Sequence, residues 1–310
     1  MKRSAILFGL VVTLILTAPV VASPVYFLVS GYTSHNVVKY DAATGAYLGA
    51  LVTGGSGGLV CPEGLAIGPD GNLYVASAGT HSVKRYDLQT GAYLGTFASG
   101  HGMQYPRGVA FGPDGNLYVA SSSDVILRYD GDTGAFIDDF VPYGTTNLND
   151  PQDLDFRGDG YLYISNGQTR CVMRVNALTG AYVDTFAAGS PTDSLQGLVF
   201  GSDDHLYVAD ADNNRVRRFD GQSGAFMDDF VPPGYGGLNH AEDVLFGLDG
   251  NLYVTSHYTD SILKYDSATG GHLGSFTTTG LDAPTYMLLV PEPGSLALLV
   301  LAGLLGARRR

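Results

Sequence analysis

The sequence predicts an all-β fold: a six-bladed β-propeller, four antiparallel strands per blade, with the ring closed by the C-terminal strand in the first blade. Three observations predict it. A glycine following Ser or Thr recurs at Gly45, Gly91, Gly134, Gly180, Gly224 and Gly270, 43 to 46 residues apart, each time inside a similar segment. Each period holds four short runs rich in Tyr, Val, Leu and Phe, separated by turn residues. The first copy begins at its second strand, near Phe27, and a lone segment at about Thr285 to Val290 supplies the missing first strand. Four strands in a period near 45 make one propeller blade. Sealing the ring with both ends of the chain removes the open sheet edge.

The elements follow in order within each copy. Strand one is the run before an Asp-Gly step, such as GLAIG (Gly64 to Gly68) or GVAFG (Gly108 to Gly112). Asp70-Gly71, Asp114-Gly115, Asp159-Gly160 and Asp249-Gly250 are read as tight hairpins into strand two, the LYVA-like run. Strand three is VKRYD-like. The step D-x-x-[ST]-G then turns the chain into strand four, with Asp capping the turn and Gly taking the left-handed residue. These repeated carboxylates are read as turn chemistry, because a catalytic site does not occur six times.

Residues 1–22 form a separate segment. Lys2 and Arg3 precede an apolar run from Ala5 to about Ala18, and Val20-Val21-Ala22 offers a cleavage point after Ala22. That is the pattern of a secretory signal peptide, so the protein is expected to be exported. Residues 23–290 form the propeller. They hold 12 of the 17 basic and 29 of the 30 acidic residues, a net charge of −17. Such a body repels phosphate backbones, which argues against nucleic-acid binding, and attracts cations. Cys61 and Cys171 fall in blades two apart and are expected to be free thiols, not a zinc site.

Hairpin alternation places turns one–two and three–four on one face, both short and uniform. Turns two–three and the links between blades lie on the other, and they vary: VTGGSGGLVC (Val52 to Cys61), VPYGTTNLND (Val141 to Asp150) and VPPGYGGLNH (Val231 to His240) are three of the links. Variable loops on a rigid scaffold are where binding concentrates. At the channel mouth on that face, strand one opens with Glu63, Arg107, Gln152, Gln196, Glu242 and Thr285, followed in two blades by Asp153 and Asp243. The expectation is a wet channel lined by polar residues. Tyr32, Tyr105, Tyr143, Tyr235 and Tyr258 fall in loops of the same face, where they can stack on sugar rings or partner side chains. The predicted ligand-binding face is therefore Tyr105, Arg107, Tyr143, Gln152, Gln196, Tyr235 and Tyr258. No cofactor is required by any motif. The alternative is a hard cation, Ca²⁺ or another divalent ion, on Glu63, Asp153, Glu242 and Asp243, with His240 and His257 as base or ligand. The remaining histidines are read mostly as solvated loop residues.

Leu206 to Asp220, LYVADADNNRVRRFD, resembles the NHL repeat, and the other copies are weaker versions of it. The resemblance spans the domain and implies the propeller fold. NHL-like propellers include lyases, lactonase-like relatives and binding modules; in the enzymes a divalent metal sits near the channel mouth. Asp210-Ala211-Asp212-Asn213-Asn214 also looks like half a calcium loop. It has Arg215 where the glycine belongs and no Glu at the twelfth place, so it is read as the ordinary bend of the repeat.

The last segment, residues 291–310, is Pro291-Glu292-Pro293, an apolar run from Gly294 to Ala307, then Arg308, Arg309 and Arg310. As a helix the run would reach ~21 Å, short of the ~30 Å of a bilayer core, and the basic end suits the cytoplasmic side. This order resembles the PEP-CTERM sorting signal of exported proteins in Gram-negative bacteria. The resemblance implies transient anchoring in the inner membrane by a short transmembrane helix, cleavage by an exosortase, and release to the cell surface or the extracellular matrix. It also implies association with exopolysaccharide, biofilm or envelope proteins. The functional expectation is a binding or structural module. The alternatives are a metal-dependent lactonase or lyase and a spacer with no specific ligand.

Overall fold

The computed structural model describes residues 25–290. The signal-peptide and PEP-CTERM readings fall on residues 1–22 and 291–310, outside the described residues. Twenty-four strands form six four-stranded antiparallel sheets. Blade 2 is typical: Pro62–Ile67 is innermost, then Leu73–Ser77, Ser82–Tyr86 and Tyr93–Ser99 outermost. Blade 1 is composite. Pro284–Val290 pairs antiparallel with Tyr26–Gly31, so both ends of the domain meet in one sheet, as the repeat pattern predicts.

Neighbouring blades touch through a joint repeated six times. The three–four turn is closed by its Asp, or by Asn176 in blade 4: in blade 1 Asp41 accepts the amide of Thr44 at 2.8 Å and its hydroxyl at 2.7 Å. The glycine that follows has positive φ, 73° at Gly134, and lies on the carbonyl oxygen of Phe97 in the preceding blade, where a Cβ would collide. The same pairing sets Gly45 on Phe276, Gly91 on Leu51, Gly180 on Phe140, Gly224 on Phe186 and Gly270 on Phe230. The pair Gly45–Phe276 joins blade 1 to blade 6, so the joints run round the whole ring.

Between the sheets, the tyrosine of strand two fills the gap. Tyr74 sits edge-on to Phe97 of its own blade and to Phe111 of the next, with ring centroids 4.8 Å away in both cases. Its hydroxyl donates to Asp70 at 3.0 Å, so the one polar atom of a buried ring is satisfied. Tyr118, Tyr163 and Tyr207 repeat the arrangement.

The one–two turn is longer than the tight Asp-Gly hairpin expected. Gly71 N–H donates to Gly68 O at 2.9 Å and Gly68 N–H to Asn72 O at 2.9 Å. The loop is therefore Pro69-Asp70-Gly71, with Gly71 as the left-handed residue (φ 76°). Three of the loop histidines make specific contacts. His35 and His81 use Nδ1 to accept the amides of Cys61 and Tyr105 in the next blade, each at 3.0 Å, and His101 stacks on Phe136 at 3.9 Å. Cys61 and Cys171 are both free.

The joint predicts a contrast between two glycines of like φ. Gly115 (φ 79°) faces open space. Gly115→Ala should cost about 1 kcal/mol, the left-handed penalty alone, whereas Gly134→Ala should cost about 3 kcal/mol or more, because a backbone oxygen must also move. Urea denaturation of the two variants measures the difference.

Candidate functional site

The first strand of every blade carries a bulge at the same place. In blade 2 Pro62 pairs with Ser77 and Leu65 with Val75, leaving one extra residue at Glu63-Gly64. The other five blades show the shift at Arg107-Gly108, Gln152-Asp153, Gln196-Gly197, Glu242-Asp243 and Thr285-Tyr286. A bulge bends the strand and re-aims its side chains. Here it carries the six predicted ring residues on the inner strands at one level round the axis. Gly64, Gly108 and Gly197 follow three of them, and a Cβ at each would strike the inner strand of the next blade.

The ring does not line a wet channel. Glu63, Gln152, Gln196, Glu242 and Thr285 are buried, and only Arg107 is part-exposed. The cause is Tyr286 of the closing strand. Its hydroxyl donates to the carbonyl of Gln152 at 2.7 Å, from blade 1 to blade 4 on the opposite side of the ring. Burial raises its pKa well above the usual tyrosine range. With the axis crossed by this ring, the mouth is a crater. A cavity of about 190 Å³ is lined by Tyr32, Glu63, Arg107, Glu242, His257 and Thr285.

The charges in the crater are tightly placed. Arg107 Nη1 lies 3.4 Å from Glu63 Oε1, while Glu63 Oε2, Arg107 Nε and His257 Nδ1 are buried without a hydrogen-bond partner among the described residues. Burial pushes Glu63 up to about 8, against the pull of Arg107. Burial also works to raise Glu242, but the bond from His240 (Nε2 to Oε1, 3.0 Å) and the nearby His257 and Arg107 overcome it and hold Glu242 below the usual range. His257 is lowered by burial. Tyr258 stacks on His240 at 4.5 Å, and Tyr32 meets His257 edge-on at 6.1 Å.

The predicted residues thus divide. Glu63, Arg107, Glu242 and His257 line one cavity, with His240 and Tyr258 just behind. Gln152 and Gln196 are turned to their own blades, bonding Asp150 O at 3.1 Å and Ser194 Oγ at 2.9 Å. Asp153 and Asp243 accept backbone amides with both oxygens. Asp153 accepts from Leu154 and from Leu198 of blade 5; Asp243 accepts from Val244 and from Met287 of the closing strand, all at 2.7–3.0 Å. Among the described residues no three His, Cys, Asp or Glu side chains are grouped as a metal site. Tyr105 is exposed and edge-on to His81; Tyr143 and Tyr235 are exposed beyond the outer strands, Tyr235 beside His272. The Asp210 bend is an ion-pair network. Arg215 bonds Asp210, Asp193 and Asp229 at 2.7–2.8 Å, and Arg217 bonds Asp193.

One site residue escaped the sequence reading, as did the contact of a second. Tyr286 was signalled only by a large aromatic where other blades have Gly or Asp. Tyr32 was placed on the correct face without its contact to the crater histidine.

An NHL repeat profile matches residues 192–219. No curated protein matches the chain in sequence. Solved structures share the fold. A chain in the nidogen/laminin complex has TM-score 0.67 and 17% identity, over 86% of this chain and 98% of that one. A protein of unknown function from Bacteroides caccae has TM-score 0.68 and 15% identity, over 87% and 100%. A catalytically inactive virginiamycin B lyase from Staphylococcus aureus, with quinupristin, has TM-score 0.60 and 15% identity, over 86% and 88%. Together with the six four-stranded sheets, these show a six-bladed propeller fold, with one stretch similar to the NHL repeat.

Buried acids give this fold an unusual pH dependence. Glu63 is raised to about 8, Asp153 to about 7 and Asp155 to about 6, each first by burial. Acids with raised folded pKa values contribute stability that is complete below about pH 4 and is lost as pH rises through the folded values. The urea midpoint should therefore fall from pH 5 to pH 8.5, and Glu63→Gln should shrink the fall. A wild-type midpoint that rises over that range contradicts the assignment.

Proposed function

We propose that the chain is an exported NHL-like propeller that acts at the cell surface or in the extracellular matrix as a binding module, with a small polar ligand in the axial crater. The observation that carries this reading is the set of unpartnered buried atoms, Glu63 Oε2, Arg107 Nε and His257 Nδ1, around one cavity. Each costs about 1–3 kcal/mol when left unbonded, and a ligand bearing hydroxyl or charged groups recovers that cost.

The placement of the chain ends favours the same reading. Val25 and Val290 lie beside the Asp41–Gly45 turn, on the face opposite the crater. A tail working as a PEP-CTERM signal would tether that face to the inner membrane and leave the crater directed outward, before and after exosortase cleavage. Exopolysaccharide or an envelope protein is then the partner in reach. The fold neighbour in the nidogen/laminin complex comes from a protein assembly, which supports a binding role for this architecture.

One observation favours an enzyme instead. His240, Glu242 and His257 form a contiguous acid–base group, with the histidine rings 5.4 Å apart, and a lyase shares the fold. Turnover of lactone or cyclic ester substrates that is abolished by His257→Ala would establish that reading.

Two outcomes test the proposal. Arg107→Ala and Glu242→Ala should each weaken binding to the matrix polysaccharide of the producing bacterium at least tenfold, with Tyr143→Ala unchanged; equal binding by all three places the ligand elsewhere. Replacing Pro291, Glu292 and Pro293 together by Ala should leave the protein in the membrane fraction at its uncleaved mass. Normal processing of that variant removes the sorting signal from the account.

A further inference from the structure

Two carboxyl groups, of Glu63 and Glu242, and one guanidinium, of Arg107, line the crater. Asp150, part-buried nearby, adds its charge to both Glu63 and Arg107. Arg107 contacts Glu63 through one oxygen only, at 3.4 Å, which leaves Oε2 unpartnered on a side chain that is 3% exposed. Burial lowers the pKa of His257, and His240 bonds Glu242 at 3.0 Å from behind. Tyr32 completes the wall as a neutral phenol beside the His257 ring, its pKa pushed up to about 12 by burial. A buried carboxyl oxygen without a donor, a second carboxylate in the same cavity and an aromatic face form the surroundings that hold an organic cation. The net −17 of residues 23–290 raises the local concentration of such a ligand and lowers that of an anion.

We infer that the crater takes a small primary ammonium on a sugar-sized body, an amino sugar, with the ammonium between Glu63 and Glu242. This rests on the crater being the binding site and names the chemical class of its ligand. Binding forms no covalent bond. The ammonium donates to Glu63 Oε2, and Glu63, where protonated in the free protein, releases its proton to solvent. A cavity of about 190 Å³ has room for one hexose ring. The groups that face Glu63 and set this exchange are Arg107, Glu242, Asp150, Tyr32 and Tyr286, with Cys61 beside Tyr32 and His240 and His257 behind Glu242.

Calorimetric titration of the purified protein with glucosamine, N-acetylglucosamine and glucuronate, equal in ring size and different in charge, tests the inference. Glucosamine should bind at least tenfold tighter than the other two at pH 6.5. Its affinity should rise by up to tenfold per pH unit from pH 5.5 to 7, and the heat should depend on the buffer because a proton is released. Glu63→Gln should lose both the pH slope and at least tenfold in affinity, and its unchanged circular dichroism would exclude misfolding. Equal or tighter binding of the neutral or acidic sugar, or a flat wild-type pH profile, overturns the ammonium assignment while leaving the crater as the site. Calcium displacing glucosamine one for one overturns it in favour of a metal. Failure of all three sugars to bind overturns the crater reading together with the inference built on it.

Discussion

Everything in this molecule depends on how closely one blade's outer strand approaches the next blade's turn. At Gly134 the contact is backbone on backbone, with no Cβ between the turn and the Phe97 carbonyl. Six such contacts fix the spacing of the sheets, and the Tyr–Phe layers between them fill it. The ring closes only because the spacing is uniform and the Gly45–Phe276 contact matches the others. The chain's two ends share blade 1, so opening the ring requires peeling Pro284–Val290 from Tyr26–Gly31 as well as separating a joint. A blade with its outer strand a methyl group further away would widen the ring and pull Tyr286 away from Gln152.

That last link carries the geometry into the site. The inner strands come near enough for the bulges to bring six side chains into one ring, and for one tyrosine to cross the axis. A plugged axis is drier than an open one, which is why Glu63 is raised to about 8 and why partners for each buried polar atom matter. Asp153 and Asp243 show the same economy of space. Each gives one carboxyl oxygen to the next amide of its own strand and the other to an amide of the neighbouring blade's inner strand.

Most of the fold was readable from the sequence because its signals are local. The [ST]-G step, the Asp that caps it and the LYVA run each declare their own turn or strand, and their spacing declares the blade count. The ring positions were readable too, since Glu63, Arg107, Gln152, Gln196, Glu242 and Thr285 hold one place in the repeat. What they do there was not. Sequence shows that Asp153 is a carboxylate, but not that the amide of Leu198 points at it from the next blade. Nor does it show that Tyr286 spans the axis, because that depends on the ring's radius, a property of all six joints together. The contacts of the loop residues His35 and His81 were hidden for the same reason: the amides they accept belong to residues 26 and 24 positions away.

Tyr286 closes the axis and leaves a crater with buried polar atoms that have no partner among the described residues. A high-resolution crystal structure grown near pH 7 tests this closure. It should show Tyr286 bonded across the ring to Gln152 O, with ordered density in the crater bonded to Glu63 Oε2. A Tyr286 ring turned aside, with a continuous solvent column from face to face, would contradict it.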